Sequence, residues 1–145
     1  MKIINERLEK ATNHSTAFSE YIFAKQMDEK KAHVLILAHQ IRDAVAKQQT
    51  AIHAKIIEET PQHHNLSNEE IATLFTAEKA VIIQKLWSTY ETYLHTHWLT
   101  KNGTIKSVFR GRPDDIDSEV GSLHHSSKLL LKQLDHWLTQ LNSSS

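Results

Sequence analysis

Residues 78–98 read EKAVIIQKLWSTYETYLHTHW, and the fold turns on how this stretch is read. It holds two of the three tryptophans, Trp87 and Trp98, and two of the three tyrosines, Tyr90 and Tyr93, with neither Gly nor Pro. On a helix of about 3.6 residues per turn, Phe75, Ile82, Leu86, Tyr90, Tyr93, Leu94 and His97 share one wide face, bordered by Ile83, Trp87 and Trp98. A face that apolar has to be covered by other elements. The stretch therefore predicts a core helix in a helical bundle.

Upstream, residues 60–66 (TPQHHNL) are polar and carry Pro61, and Ser67 followed by Glu70 forms a capping box. The core helix is thus expected to run from about 68 to 100. No Pro precedes Pro61 and no Gly precedes Gly103, so nothing before residue 60 forces a helix to stop. Ile4, Leu8, Ala11, Ser15, Phe18 and Ile22 recur at intervals of three or four, as do Val34, Ala38, Ile41, Val45, Ile52 and Ile56. The two stripes are about 120° out of phase. That mismatch predicts a turn near Gln26–Lys30 with Asp28 as N-cap, and helices over 2–26 and 29–59. One continuous rod with a rotating face is the competing reading.

Downstream, residues 101–115 (KNGTIKSVFRGRPDD) hold two of the three glycines and the second proline, and read as a long connection. The acidic run Asp114, Asp115, Asp117 and Glu119 suits the positive end of a helix dipole. Ile116, Val120, Leu123, Leu130, Leu134, Trp137 and Leu141 then mark a buried side, widened by Leu131 and Leu138, which predicts a helix over 114–141. The expectation is an all-α chain: a single-domain, antiparallel up-down four-helix bundle over 1–142, with 143–145 as a disordered tail.

Composition narrows the function classes. Seventeen Lys and Arg balance seventeen Asp and Glu, so no global field draws the chain to nucleic acid or an anionic membrane. The absence of Cys excludes thiolate chemistry and Cys-based zinc sites. The segment MKIINERLEK lacks the apolar run of a signal peptide, and the longest apolar run, Val34 to Ala38, is far short of the roughly 20 residues that span a bilayer. A soluble, cytoplasmic protein without membrane contact is expected. The eleven histidines should make net charge climb as pH falls below neutrality.

No G-x-S-x-G, G-x-G-x-x-G or phosphate-loop pattern occurs. Glu91 and His95, four apart, could both reach a metal, although an exposed ion pair is the plainer reading. No Glu precedes a His by three, as a di-iron bundle requires. No cofactor is expected, with a transition metal as the alternative. His97, beside Tyr90 and Tyr93, and His124, at the edge of the last apolar face, are candidates for an interior polar pocket. Lys101, Lys106, Arg110 and Arg112, with Phe109 among them, form a basic loop suited to a phosphate or an RNA strand.

The run Ala38 to Val45, AHQIRDAV, resembles the phosphoacceptor segment of histidine phosphotransfer domains, which are four-helix bundles. The resemblance implies His39 as phosphoacceptor and Arg42 as the cation beside it, while Asp43 stands where that family has a small residue. The segment Trp87 to Leu94 is similar to the helical hairpin of the HEPN ribonucleases, whose activity needs an Arg with a His a few residues on. Here Arg7 is followed by His14, Arg42 by His53, and Arg110 and Arg112 by His124, so only a degenerate binding member is implied. Without a catalytic pattern, the expected role is regulatory: binding a protein partner or a second copy, with nucleic acid a possibility at loop 101–112.

Overall fold

The computed structural model describes residues 2–143, with side chains from residue 15 onward. Its elements are α1 (Lys2–Ala46), α2 (Ala54–Glu59), α3 (Asn68–Leu74), α4 (Ala77–Tyr93), a π-helical turn (Leu94–Trp98) and α5 (Glu119–Leu141). Among the described residues the sole β pairing is an isolated antiparallel bridge, Leu99 with Ile105. The all-α class holds. The helix boundaries depart from those expected in four places.

First, the helices expected over 2–26 and 29–59 are joined: α1 runs unbroken from Lys2 to Ala46, and Asp28 lies inside it. Residues 26–31, QMDEKK, contain no breaker and several good helix formers, so local propensity favours continuity. The phase shift marks a change in what the helix touches. Val34, Leu37, Ala38, Ile41, Ala44 and Val45 are buried, whereas between residues 15 and 33 only Ile22, Met27 and Lys31 are even partly covered. Of the first stripe, Ser15 and Phe18 are exposed and Ile22 is half-buried; the side chains of Ile4, Leu8 and Ala11 lie outside the described residues.

Second, α1 stops at Ala46, so Ile52 and Ile56 belong to a separate segment. Fully buried Gln48 turns the chain back: its Nε2 donates to the carbonyls of Ala44 and His53, each at 3.1 Å, and its Oε1 accepts from the His53 amide at 2.7 Å. One side chain thereby satisfies both sides of the turn that leads to α2.

Third, the helix expected over 68–100 is divided. The capping box is present, with Ser67 Oγ accepting from the Glu70 amide at 3.1 Å and Glu70 Oε1 from the Ser67 amide at 3.4 Å. The chain then breaks at Phe75, whose extended backbone sends its ring into the core beneath the Lys31 ammonium, 5.6 Å from the ring centre. Thr76 caps α4 by accepting from the Lys79 amide at 3.3 Å. Burying an aromatic ring outweighs the few backbone bonds lost at the break.

Fourth, the last helix starts at Glu119, not at 114. Ser118 is its cap, accepting from the Gly121 amide at 3.0 Å, and the acids before it form a turn in which Asp115 Oδ1 accepts from the Asp117 amide at 3.0 Å. Gly121 is required because a Cβ there would strike the Asp115 carbonyl. Ile116, expected in the core, is 56% exposed in that turn.

The core is built around α5, which packs against both the C-terminal half of α1 and α4, so the tryptophan-rich rod flanks the centre instead of forming it. Arg42 on α1 reinforces the first contact at the surface, with Nε 2.7 Å from Asp135 Oδ1. Of the expected tail, Ser143 accepts from Lys79 Nζ at 2.7 Å, and 144–145 lie outside the described residues.

Candidate functional site

The end of α4 is where most of the chemistry singled out in the sequence gathers. The last turn widens into a π-turn, closed by the Leu99 amide donating to the Leu94 carbonyl at 2.8 Å. It runs straight into a short hairpin in which the Lys106 amide donates to the Trp98 carbonyl at 2.7 Å and the Thr100 and Thr104 hydroxyls pair at 2.8 Å. Gly103, at φ 79°, makes the tight reversal. The hairpin carries Lys106 and Phe109 back over the π-turn, where Phe109 meets the buried Trp98 edge-on with ring centres 5.0 Å apart.

Here Lys106 Nζ lies 4.8 Å from the Phe109 ring centre and 3.2 Å from Glu119 Oε2. The same Glu119 oxygen accepts from the Arg110 amide at 3.1 Å. That backbone N–H and the Lys106 ammonium together hold the Glu119 carboxyl below the usual carboxylate range. Thr96, His97, Lys106, Phe109, Glu119 and Ser122 line a cleft of about 230 Å³. Thr96 and His97 also line a shallow groove of about 280 Å³ between α4 and α5, alongside Tyr93, Ser126 and Leu129.

His97 is half-buried, with its ring 5.6 Å from that of Tyr93. Burial first, and the Lys106 charge second, push its pKa down, so the imidazole is neutral at pH 7. Among the described residues its ring nitrogens have no hydrogen-bond partner in the protein. A neutral imidazole can both donate and accept, and this one is open to two clefts.

Behind it, the Tyr93 hydroxyl is 2.7 Å from Ser127 Oγ, which itself donates to the Leu123 carbonyl at 2.7 Å. Because Ser127 spends its proton on Leu123, Tyr93 is the donor in that pair. Tyr90 stacks on Tyr93 with ring centres 6.1 Å apart, but among the described residues its buried hydroxyl and the Trp87 indole nitrogen have no protein partner. The Trp98 indole nitrogen acts on the Tyr93 hydroxyl without reaching full hydrogen-bond geometry. Burial raises the pKa of both tyrosines, so neither is a base near neutrality.

No known protein family, curated protein or solved structure matches this chain. Its sites rest on their own geometry.

Of the expected site residues, the fold brings together Tyr93, His97, Lys106 and Phe109. His124 is not among them: it points to the end of α1, with Nδ1 2.6 Å from the Gln48 carbonyl, and lines neither cleft. Lys101, Arg110 and Arg112 are exposed and line neither cleft, and Arg112 Nε is 3.8 Å from Asp114 Oδ1. Glu91 and His95 form an exposed pair at 3.7 Å. Among the described residues no three His, Asp or Glu side chains gather as metal ligands. His39 is exposed, 3.4 Å from Asn142 Nδ2, and Arg42 beside it is engaged by Asp135 and, at 3.3 Å, by Asp43. Glu119, expected only as one acid of a helix-dipole run, and Ser122, which carries no signal in the sequence, enter the cleft because α5 begins at Glu119.

A second surface lies on α1. Phe18, Tyr21 and Phe23 are 66%, 64% and 61% exposed. Phe23, Met27 and Lys30 border a groove of about 310 Å³ against Ser67, Glu70 and Leu74, where Lys30 Nζ meets Glu70 Oε2 at 3.3 Å. Phe18 and Tyr21 lie on another side of the helix and line none of these clefts. Among the described residues no helix is long and apolar enough to cross a membrane.

Proposed function

We propose that this chain is a non-catalytic interaction protein whose body is an up-down helical bundle and whose working surface is the N-terminal half of α1. One observation carries this: Phe18, Tyr21 and Phe23 stand more than 60% exposed on a helix whose continuation is the wall of the core. Covering an aromatic side chain is worth about 1.5–3 kcal/mol, so three on one rod are a strong incentive to associate. Between residues 15 and 31, Lys25, Lys30 and Lys31 balance Glu20, Asp28 and Glu29, which favours a protein partner over nucleic acid or anionic lipid.

The test is a photo-crosslinking phenylalanine analogue placed at Tyr21 in the expressing cell. Adducts should form there in excess of those from the same analogue at Glu91, which is exposed on α4. Equal yields from both positions would overturn the role given to α1.

A second reading is favoured by the open nitrogens of His97: the cleft shared with Lys106, Glu119 and Ser122 takes a small polar ligand. Imidazole proton–nitrogen spectra in the presence of inorganic phosphate or acetate should then move the His97 resonances and leave those of His124 in place.

A further inference from the structure

Asn102 is followed by Gly103, and no other asparagine of the chain precedes a glycine. The pair forms the tip of the hairpin that follows the π-turn, where both residues are exposed. Among the described residues the Asn102 side-chain amide has no hydrogen-bond partner, so it can swing back onto the main chain. A Cβ added at Gly103 would meet nothing within 4 Å. The Gly103 nitrogen is therefore approachable from outside, with no side chain of its own to shield it.

We infer that Asn102 is a site of spontaneous covalent modification, and that the change resets the hairpin holding Lys106 and Phe109 against the π-turn. The Gly103 nitrogen bonds to the Asn102 side-chain carbonyl carbon and closes a succinimide ring. The side-chain nitrogen leaves as ammonia, taking the proton that the Gly103 amide gives up. Nucleophile and electrophile are neighbours on one chain, so no encounter has to be arranged. Water then opens the ring. Cleavage at the side-chain carbon leaves aspartate, whereas cleavage of the original peptide bond leaves isoaspartate, with the main chain now running through the side-chain carbons. On either route an amide has become a carboxylate.

The fold sets the pace. The Gly103 amide donates to the Thr100 carbonyl at 2.9 Å, and that bond has to open before the nitrogen attacks. Around it, the Thr100 amide donates to the Thr104 carbonyl at 2.8 Å, the Thr104 amide donates to Thr100 Oγ1 at 3.2 Å, and the two hydroxyls pair. Thr100 and Thr104 are both exposed. Bonds at a solvated hairpin tip open locally at little cost.

The product no longer fits this turn. Isoaspartate adds an atom to the main chain between Thr100 and Thr104, so their bonds lose register, and the new carboxylate stands beside Lys101. Farther along, the Lys106 amide donates to the Trp98 carbonyl at 2.7 Å and Phe109 packs on the Trp98 ring. A slipped tip loosens both Lys106 and Phe109 next to His97.

The full chain is aged at physiological pH and temperature, folded and, in parallel, unfolded in guanidinium. Proteolytic fragments covering residue 102 should gain the mass of an amide-to-acid exchange in both samples, more slowly in the folded one, and electron-transfer fragmentation should show isoaspartate beside aspartate. Thr100→Ala, which removes the hydroxyl contacts at the tip, should quicken the folded-state reaction about fivefold. Asn102→Gln, whose ring would be larger, should stay unmodified at that position. In imidazole proton–nitrogen spectra, a second set of His97 resonances should grow with the isoaspartate and be absent from fresh Asn102→Asp, which carries the charge without the extra main-chain atom. Conversion in guanidinium with none in the folded chain would overturn the inference, as would no conversion at all. An unaltered rate in Thr100→Ala would overturn the control by the hairpin tip, and conversion that leaves the His97 resonances in place would overturn the resetting of the hairpin.

Discussion

His124 Nδ1 lies 2.6 Å from the carbonyl oxygen of Gln48, joining the start of α5 to the turn that ends α1. A carbonyl only accepts, so Nδ1 carries the proton and the neutral ring is the Nδ1–H tautomer. Both residues are buried, and Gln48 in turn closes on Ala44 and His53. Three elements thus meet on two side chains. Removing either leaves backbone groups without partners, at about 1–3 kcal/mol each. His124→Leu should lower stability by about 2 kcal/mol, and Gln48→Leu by about 3 kcal/mol, in urea denaturation. A change below half of that for both would mean that the latch contributes little.

The two stacked tyrosines should respond differently to loss of a hydroxyl. Tyr93→Phe removes a donor to Ser127 and should cost about 1 kcal/mol. Tyr90→Phe removes a buried hydroxyl without a protein partner, and should be neutral or stabilising by up to about 1 kcal/mol. Paired denaturation curves decide this, and equal losses for both variants would contradict the assigned hydrogen bonds.

Two histidines make folding stability pH-dependent. His64, half-buried and edge-on to Trp87 at 5.0 Å, has its pKa lowered by burial and then by His63; His97 has its pKa lowered by burial and then by Lys106. The unfolded chain therefore binds more protons than the folded one just below the ordinary value of 6.5. Their contribution is fully present above that value and is lost as pH falls from it through the lower folded values. Melting temperature should drop on acidification from pH 7 to about pH 5. The double variant His64→Gln with His97→Gln should flatten that slope, and an unaltered slope would assign it to other groups.

The turn before α5 depends on two glycines. Gly111 has φ 97°, and a Cβ there would strike the Ser118 side chain that caps α5; a Cβ at Gly121 would strike the Asp115 carbonyl. Gly111→Ala and Gly121→Ala should each cost about 2 kcal/mol or more. Gly103→Ala, strained at φ 79° but with open space around it, should cost about 1 kcal/mol. Thermal denaturation of the three variants should rank them in that order.

The sequence by itself determined the all-α class, the start of α3 and most of the core list. Periodic burial and the Ser67–Glu70 box are local properties of consecutive residues, and Val34, Ala38, Ile41, Leu86, Tyr90, Leu123 and Leu134 are buried as their spacing implied. Tertiary structure decided whatever depended on what lay across from a residue. The phase change near Asp28 reads as a turn if both stripes must face one core, and only the fold reveals that α1 continues unbroken through it, with burial beginning in earnest at Val34. Phe75 leaves the helix for a burial site that spacing cannot foresee, and Ser118 outcompetes the acids before it because Gly121 lets the chain approach there. His97 and His124, alike in the sequence, part company: one opens onto two clefts, and the other is bonded to a carbonyl 76 positions away in the chain. Propensity and pattern act over a few residues, whereas burial and hydrogen-bond pairing are set by distant segments that only the fold brings near.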